Sequence, residues 1–182
     1  MIGGERLLQV LEANHYHLVI HGHKHHPRLR YSTSGSRALP VFASGSLSAI
    51  ISDVLSRSAR NTFHIIELLA PDSSLSYIRG SIRTWELSAD KGWIESTYQS
   101  SGFPKDAGFG CKSQPSEMAT RIETTLANNK FLEWSDMLEQ IPDLRFVSII
   151  DLRAIAEILK TKNITISPTT EEPLLVGRPK TI

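Results

Sequence analysis

Only one of the 182 residues is cysteine, Cys111, so no disulfide can form within the chain, and this usage fits a reducing compartment. Cys111 stands in the loop-like stretch GFGCKS with no histidine near it in sequence, which points to a structural rather than a reactive role. Long apolar runs are missing as well. The opening MIGGERLLQV carries Glu5 and Arg6 and no apolar core of signal-peptide length, and nothing later approaches a membrane span. The expected location is therefore cytoplasmic, with no membrane partner. Charge of one sign is not in excess either. A formal net charge of +1 gives no global attraction to nucleic acid or to an anionic membrane. There is no internal repeat, no phosphate-binding glycine loop and no CxxC pair. What remains, 40% hydrophobic and 21% charged, is the composition of a soluble globular chain, long enough for one domain or a small domain with an extension.

Histidine, by contrast, is concentrated. Six of the seven fall at positions 15, 17, 21, 23, 25 and 26, and only His64 lies elsewhere. Leu18, Val19 and Ile20 read as a short buried strand, which Gly22 breaks. In extended backbone, residues two apart share a face, so His23 and His25 on either side of Lys24 can converge on one point. An apolar strand ending in Gly-His-Lys-His reads as a two-imidazole metal arm, although such pairs also occur in solvated turns. His15, His17, His21 and His26 are expected at the surface or as supports behind the ligands. Two histidines do not close a site, because transition-metal centres generally take three or four protein ligands. Lys24, Arg28 and Arg30 add a local basic stretch, either a solvated turn or a rim that attracts a substrate phosphate.

The segment VIHGHKHH resembles the last metal-binding motif, Gly-His-x-His, of the calcineurin-like metallophosphoesterases. HPRLRY, LPVFASGSLSA and NTFHIIEL resemble the closing strands of that family, so the likeness covers roughly the first half of the chain. The resemblance implies a two-metal centre (Mn, Fe or Zn) in which His23 binds one ion and His25 the other. It also implies hydrolysis of phosphate mono- or diesters, with Lys24 and Arg28 at the substrate rim. The family's earlier motifs, Asp-x-His, Gly-Asp-x-x-Asp and Gly-Asn-His-Asp/Glu, are absent; Ala13-Asn14-His15 lacks both the Gly and the acid. The chain is thus expected to be the carboxyl-terminal part of such a domain. It would carry no catalytic residue of its own, hold metal only weakly and be inactive alone. It would need a complementing amino-terminal segment, or would self-associate. The alternatives are a non-catalytic, partner-binding module and a histidine-rich metal-binding surface unrelated to hydrolysis.

The expected fold is α/β, the carboxyl-terminal half of a metallophosphoesterase-type sandwich, followed by a mainly helical extension. A helix over about Glu5–Ala13 precedes the strand at 17–21. Further strands are expected at Leu39–Ala43, Asn61–Leu69, Ser76–Leu87 and Gly92–Gln99, the last two joined at Asp90-Lys91-Gly92 with Trp85 and Trp93 paired across the hairpin. The apolar LSAIISDVL is helix or ordered loop. Gly, Ser, Pro and Lys dominate Ser100–Pro115, which reads as a linker. Helices follow at Ser116–Ala127, with Ser116 as the cap, at Leu132–Gln140 and at Asp151–Lys162. Phe146–Ile150 is a strand or the start of the third helix. The expected organisation is 1–100 phosphoesterase-like, 101–115 linker, 116–166 helical accessory region and 167–182 tail. Asp136, Glu139, Asp143 and Asp151 are spaced as solvated helix residues rather than as a metal site.

Overall fold

A computed structural model describes residues 4–22, 25–32, 39–48, 60–69, 77–127, 129–168 and 173–178. His23, Lys24 and most of LSAIISDVL lie outside them. No helix among the described residues is long and apolar enough to cross a membrane.

The chain opens with α1 (Gly4–Ala13). It closes where His15 takes φ 61° and the Tyr16 N–H reaches back to the Leu11 carbonyl at 3.0 Å. Three short strands follow, β1 (Val19–His21), β2 (Arg28–Tyr31) and β3 (Pro40–Ala43), in the spatial order β1-β3-β2. β1 runs parallel to β3 and β2 antiparallel to it. A second sheet holds β4 (Thr62–Leu69), β5 (Arg79–Ser88), β6 (Gly92–Glu95) and β7 (Asp106–Phe109). β4 covers one edge of β5, while β6 and β7 share the other end to end. Leu29, Phe42, Ile82, Phe103, Ala107 and Phe109 form the core common to the two sheets.

The hairpin at Asp90–Gly92 turns as its residues dictate, with Gly92 at φ 71°. The tryptophans do not pair directly. Trp85 lies opposite Glu95 and Trp93 opposite Leu87. Their rings meet through Phe63 of β4 instead, stacked on Trp85 at 4.9 Å and edge-on to Trp93 at 5.0 Å. β6 stops at Glu95, and the short helix α2 (Tyr98–Ser101) replaces the rest of the expected strand. Thr97 caps α2, and Gly102 ends it in the left-handed region at φ 77°.

The stretch expected as a linker is not one. Phe103, Ala107, Phe109 and Cys111 are buried, and β7 pairs with β5 from Gly80 to Arg83. Its glycines, which suggested a loop, are needed for close packing. A Cβ on Gly108 would collide with the Arg145 and Phe146 backbone, and Gly110 sits at φ 88° against Ile78 and Arg79.

The last third consists of α3 (Pro115–Leu126), β8 (Phe131–Glu133), α4 (Trp134–Gln140), a 3-10 turn at Pro142–Phe146, α5 (Ile149–Lys160), β9 (Thr165–Ser167) and β10 (Leu175–Gly177). Gln114, not Ser116, caps α3, in a capping box closed by Glu117 with Pro115 in the first turn. Ser148 caps α5 by accepting from the Asp151 N–H at 3.2 Å, so Phe146–Ile150 is neither a strand nor continuous helix. The region expected as a tail closes a sheet of order β8-β10-β9, with Val176 fully buried. Prolines marked it as tail, yet Pro168 and Pro173 flank the strands rather than interrupt them. Met118, Ile122, Met137, Ile155, Leu159 and Ile164 are among the buried residues of a second, larger core.

Candidate functional site

Three places carry chemistry. The first is the end of β1. The His21 carbonyl accepts from the Ser44 N–H at 2.8 Å and from its Oγ at 3.3 Å. The extended backbone expected to run through His25 stops short: β1 ends at His21 and His25 takes φ 54°. Strand alternation therefore does not reach His25, because Gly22 has already broken the strand. His25 is exposed; its intended companion His23, and Lys24, lie outside the described residues. Among the described residues no group of three or more His, Cys, Asp or Glu gathers in a metal-binding arrangement.

The second place is His64, which sequence reasoning set aside. It is half-buried beside Phe42, with ring centroids 4.9 Å apart, and its Nε2 accepts the Gly45 N–H at 3.1 Å. Nδ1 lies 2.9 Å from Thr84 Oγ1. Since Nε2 accepts from Gly45, the proton sits on Nδ1. Burial pushes the His64 pKa down from 6.5 to about 4. Gly45 is required at its position, because a Cβ there would overlap Thr62 Oγ1. His64 thus ties the Ser44–Ser46 loop, and through Ser44 the end of β1, to the second sheet. A lone histidine inside an apolar strand, two residues from a threonine, was the signal for it.

The third place is a cavity of about 370 Å³ between β2, α2 and the first turns of α5. Arg28, the exposed rim residue expected from sequence, lines it, as does His26. His26 packs on Gly102, where a Cβ would come within 2.9 Å of its Cε1. Arg153 of α5 enters from the other side. Its guanidinium lies 4.2 Å from the Tyr98 ring centre, and Nη1 donates to Tyr98 Oη at 3.2 Å. No sequence signal joined Arg28 to Arg153, 125 positions later, since only the packing of α5 against α2 brings them together.

Of the four acidic residues expected as solvated helix positions, two are engaged, and Asp151 is buried rather than solvated. Asp143 pairs with Arg79 at 3.3 Å and Arg121 at 3.0 Å, clamping the 3-10 turn to β5 and α3. Asp151 accepts from Ser148 Oγ at 2.8 Å.

The order α3-β8-α4-α5-β9-β10, with β9 and β10 antiparallel and α4 and α5 joined through the 3-10 turn at Pro142–Phe146, is that of a winged helix. Comparison with protein families agrees: the family model that matches is wHTH-Calcineurin_assc, over residues 107–161. No curated protein and no solved structure matches the chain. The matched model describes a winged helix-turn-helix domain and not a metallophosphoesterase domain, and this overturns the assignment of the chain to the calcineurin-like metallophosphoesterases. The strands that suggested that family are short and common to many sheets, and Gly-His-x-His alone is too small a motif to carry an assignment. What the chain contains is a mixed α/β fold with a winged helix-turn-helix domain in its second half.

Proposed function

We propose that the chain is a non-catalytic module that binds a partner protein, and that the partner is a metal-dependent phosphoesterase domain of the calcineurin type. The observation that carries this reading is the uncovered flank at α1 and β1. α1 is amphipathic in sequence yet buries no residue; Leu7 is 58% exposed and Val10 51%. Ile20 of β1 is 55% exposed, and β1 pairs with β3 alone, so among the described residues its other edge is open. Parallel strands are normally covered on both faces, and an open apolar edge beside a bare helix is the surface that a further layer would cover. Calcineurin stands in the name of the matched winged-helix family, which favours a phosphoesterase domain as that layer.

In this reading the chain turns over no phosphoester by itself. His23 and His25, which follow β1 in sequence, act as supplementary ligands to metal held mainly by the partner.

The test is to co-express the chain with calcineurin-type phosphoesterase domains of its own genome and measure complex mass by size exclusion with light scattering. A stoichiometric complex that is lost in Leu7→Lys/Ile20→Lys is the expected result. A monodisperse monomer that ignores every such domain would sink the proposal. So would hydrolysis of a nitrophenyl diester by the chain alone above a metal-only blank.

A further inference from the structure

We propose that the cavity between β2, α2 and α5 binds the phosphoryl group of a small phosphorylated molecule. Two arginines reach it from opposite sides of the seam, Arg28 from the first sheet and Arg153 from the winged helix, and none of its described lining residues is acidic. Among the described residues neither arginine pairs with a carboxylate.

Arg153 is already oriented. The Tyr98 ring holds its plane and the Tyr98 hydroxyl takes one N–H, so the guanidinium offers its remaining donors in a fixed fork. A planar fork of this kind matches two oxygens of a phosphoryl group, and its orientation lowers the entropy lost on binding. His26, held in place against Gly102, adds a third nitrogen-bearing group on the Arg28 side.

The rest of the wall is apolar, with Leu29 and Phe103 buried in it. At about 370 Å³ the cavity falls near the lower end of the range for small-molecule sites, roughly 300–1,000 Å³. Its dimensions and mixed lining suit a phosphate monoester with a modest organic part, and a bare phosphate ion fills only the polar side. In helix-turn-helix proteins that read DNA, the second helix of the motif enters the major groove. Here the first turns of that helix, α5, face the chain's own β2 and α2, which favours a small ligand over a nucleic-acid duplex.

The site does not depend on the partner proposed above, and it is tested on the full chain alone by titration calorimetry. The probes are inorganic phosphate, adenosine monophosphate, adenosine and a short DNA duplex. Phosphate and the nucleotide should bind in the micromolar to millimolar range, and adenosine should not. Arg28→Gln, whose side chain is exposed and whose fold is checked by circular dichroism, should weaken binding by about tenfold. Arg153→Gln should do the same, whereas Tyr98→Phe, which keeps the stacked ring, should weaken it less. Tighter binding of the nucleotide than of phosphate would assign the apolar wall to the organic part; equal binding would assign recognition to the phosphoryl group alone. No heat of binding for either up to about 10 mM would overturn the proposal. Affinity that both arginine variants leave unchanged, or binding of the duplex alone, would overturn it too.

Discussion

The two halves of the molecule bury themselves in opposite ways. Among the described residues the winged helix closes sixteen buried side chains into one core, contributed by all three of its long helices and by all three of its strands or their flanks. The two amino-terminal sheets share six, and their outermost helix contributes none. Stability in small domains follows buried apolar area, so the winged helix holds most of it and the sheets lean on their neighbour. The exposed strand edge and bare helix are consequently where binding adds most to the fold, since ligands and partners stabilise what they touch.

That contrast can be broken by substitution. The largest effect is expected inside the winged helix. Ile155→Ala or Leu159→Ala empties a fully buried position and should cost about 2–5 kcal/mol in urea unfolding. Leu7→Ala on α1 should cost no more than about 0.5 kcal/mol. Comparable losses at both places would mean that α1 is covered in solution by something, a second copy included.

Gly45→Ala probes the seam between the two sheets. The added Cβ must displace Thr62 or the loop, with a loss of about 1–3 kcal/mol, and the effect should fall on the amino-terminal half. Hydrogen exchange separates the halves: faster exchange is expected in β3 and β4 and unchanged protection in α3 and α5.

His64 gives the same half a pH dependence. Its folded pKa, about 4, lies below the unfolded 6.5, so acid favours the unfolded state. The neutral ring's contribution is complete above pH 6.5 and is lost as pH falls toward 4. Discounted for the ring's remaining exposure, that loss amounts to about 1–2 kcal/mol. Thermal melts across this window should show a slope that flattens in His64→Gln; an equal slope in both proteins would remove His64 from the account.

Within the second sheet a smaller effect is expected at Trp93, which is 41% exposed and touches Phe63 edge-on. Trp93→Ala should cost about 0.5–1.5 kcal/mol, read from the denaturation midpoint.

Elements whose period is local were legible in the sequence. The opening helix, the strand at Asn61–Leu69, the Asp90–Gly92 turn and the three helices of the second half all fall close to where apolar spacing and punctuation put them. Meaning that depends on partners was not. Glycines and prolines at 102–110 and 168–179 read as linker and tail because composition cannot distinguish a loose glycine from one that admits a neighbouring backbone. Gly108 is the second kind. The candidate site was half legible: Arg28 stood beside the histidines, but Arg153 belongs to the same cavity only through packing of α5. The histidine cluster drew attention by abundance, whereas the histidine with the most defined surroundings was the isolated His64.

β7 has one more consequence. It is the last strand of the second sheet and also the lead into α3, and the winged-helix match begins within it, at Ala107. The boundary between the halves therefore runs along a shared strand and not across a tether. A pull on α3 would load the β5–β7 hydrogen bonds in series with the winged-helix core, so strain at one end of the molecule reaches the other with no slack to absorb it. A protease would find no slack there either, and a winged helix cut free amino-terminal to β7 would carry away an edge that the sheet requires.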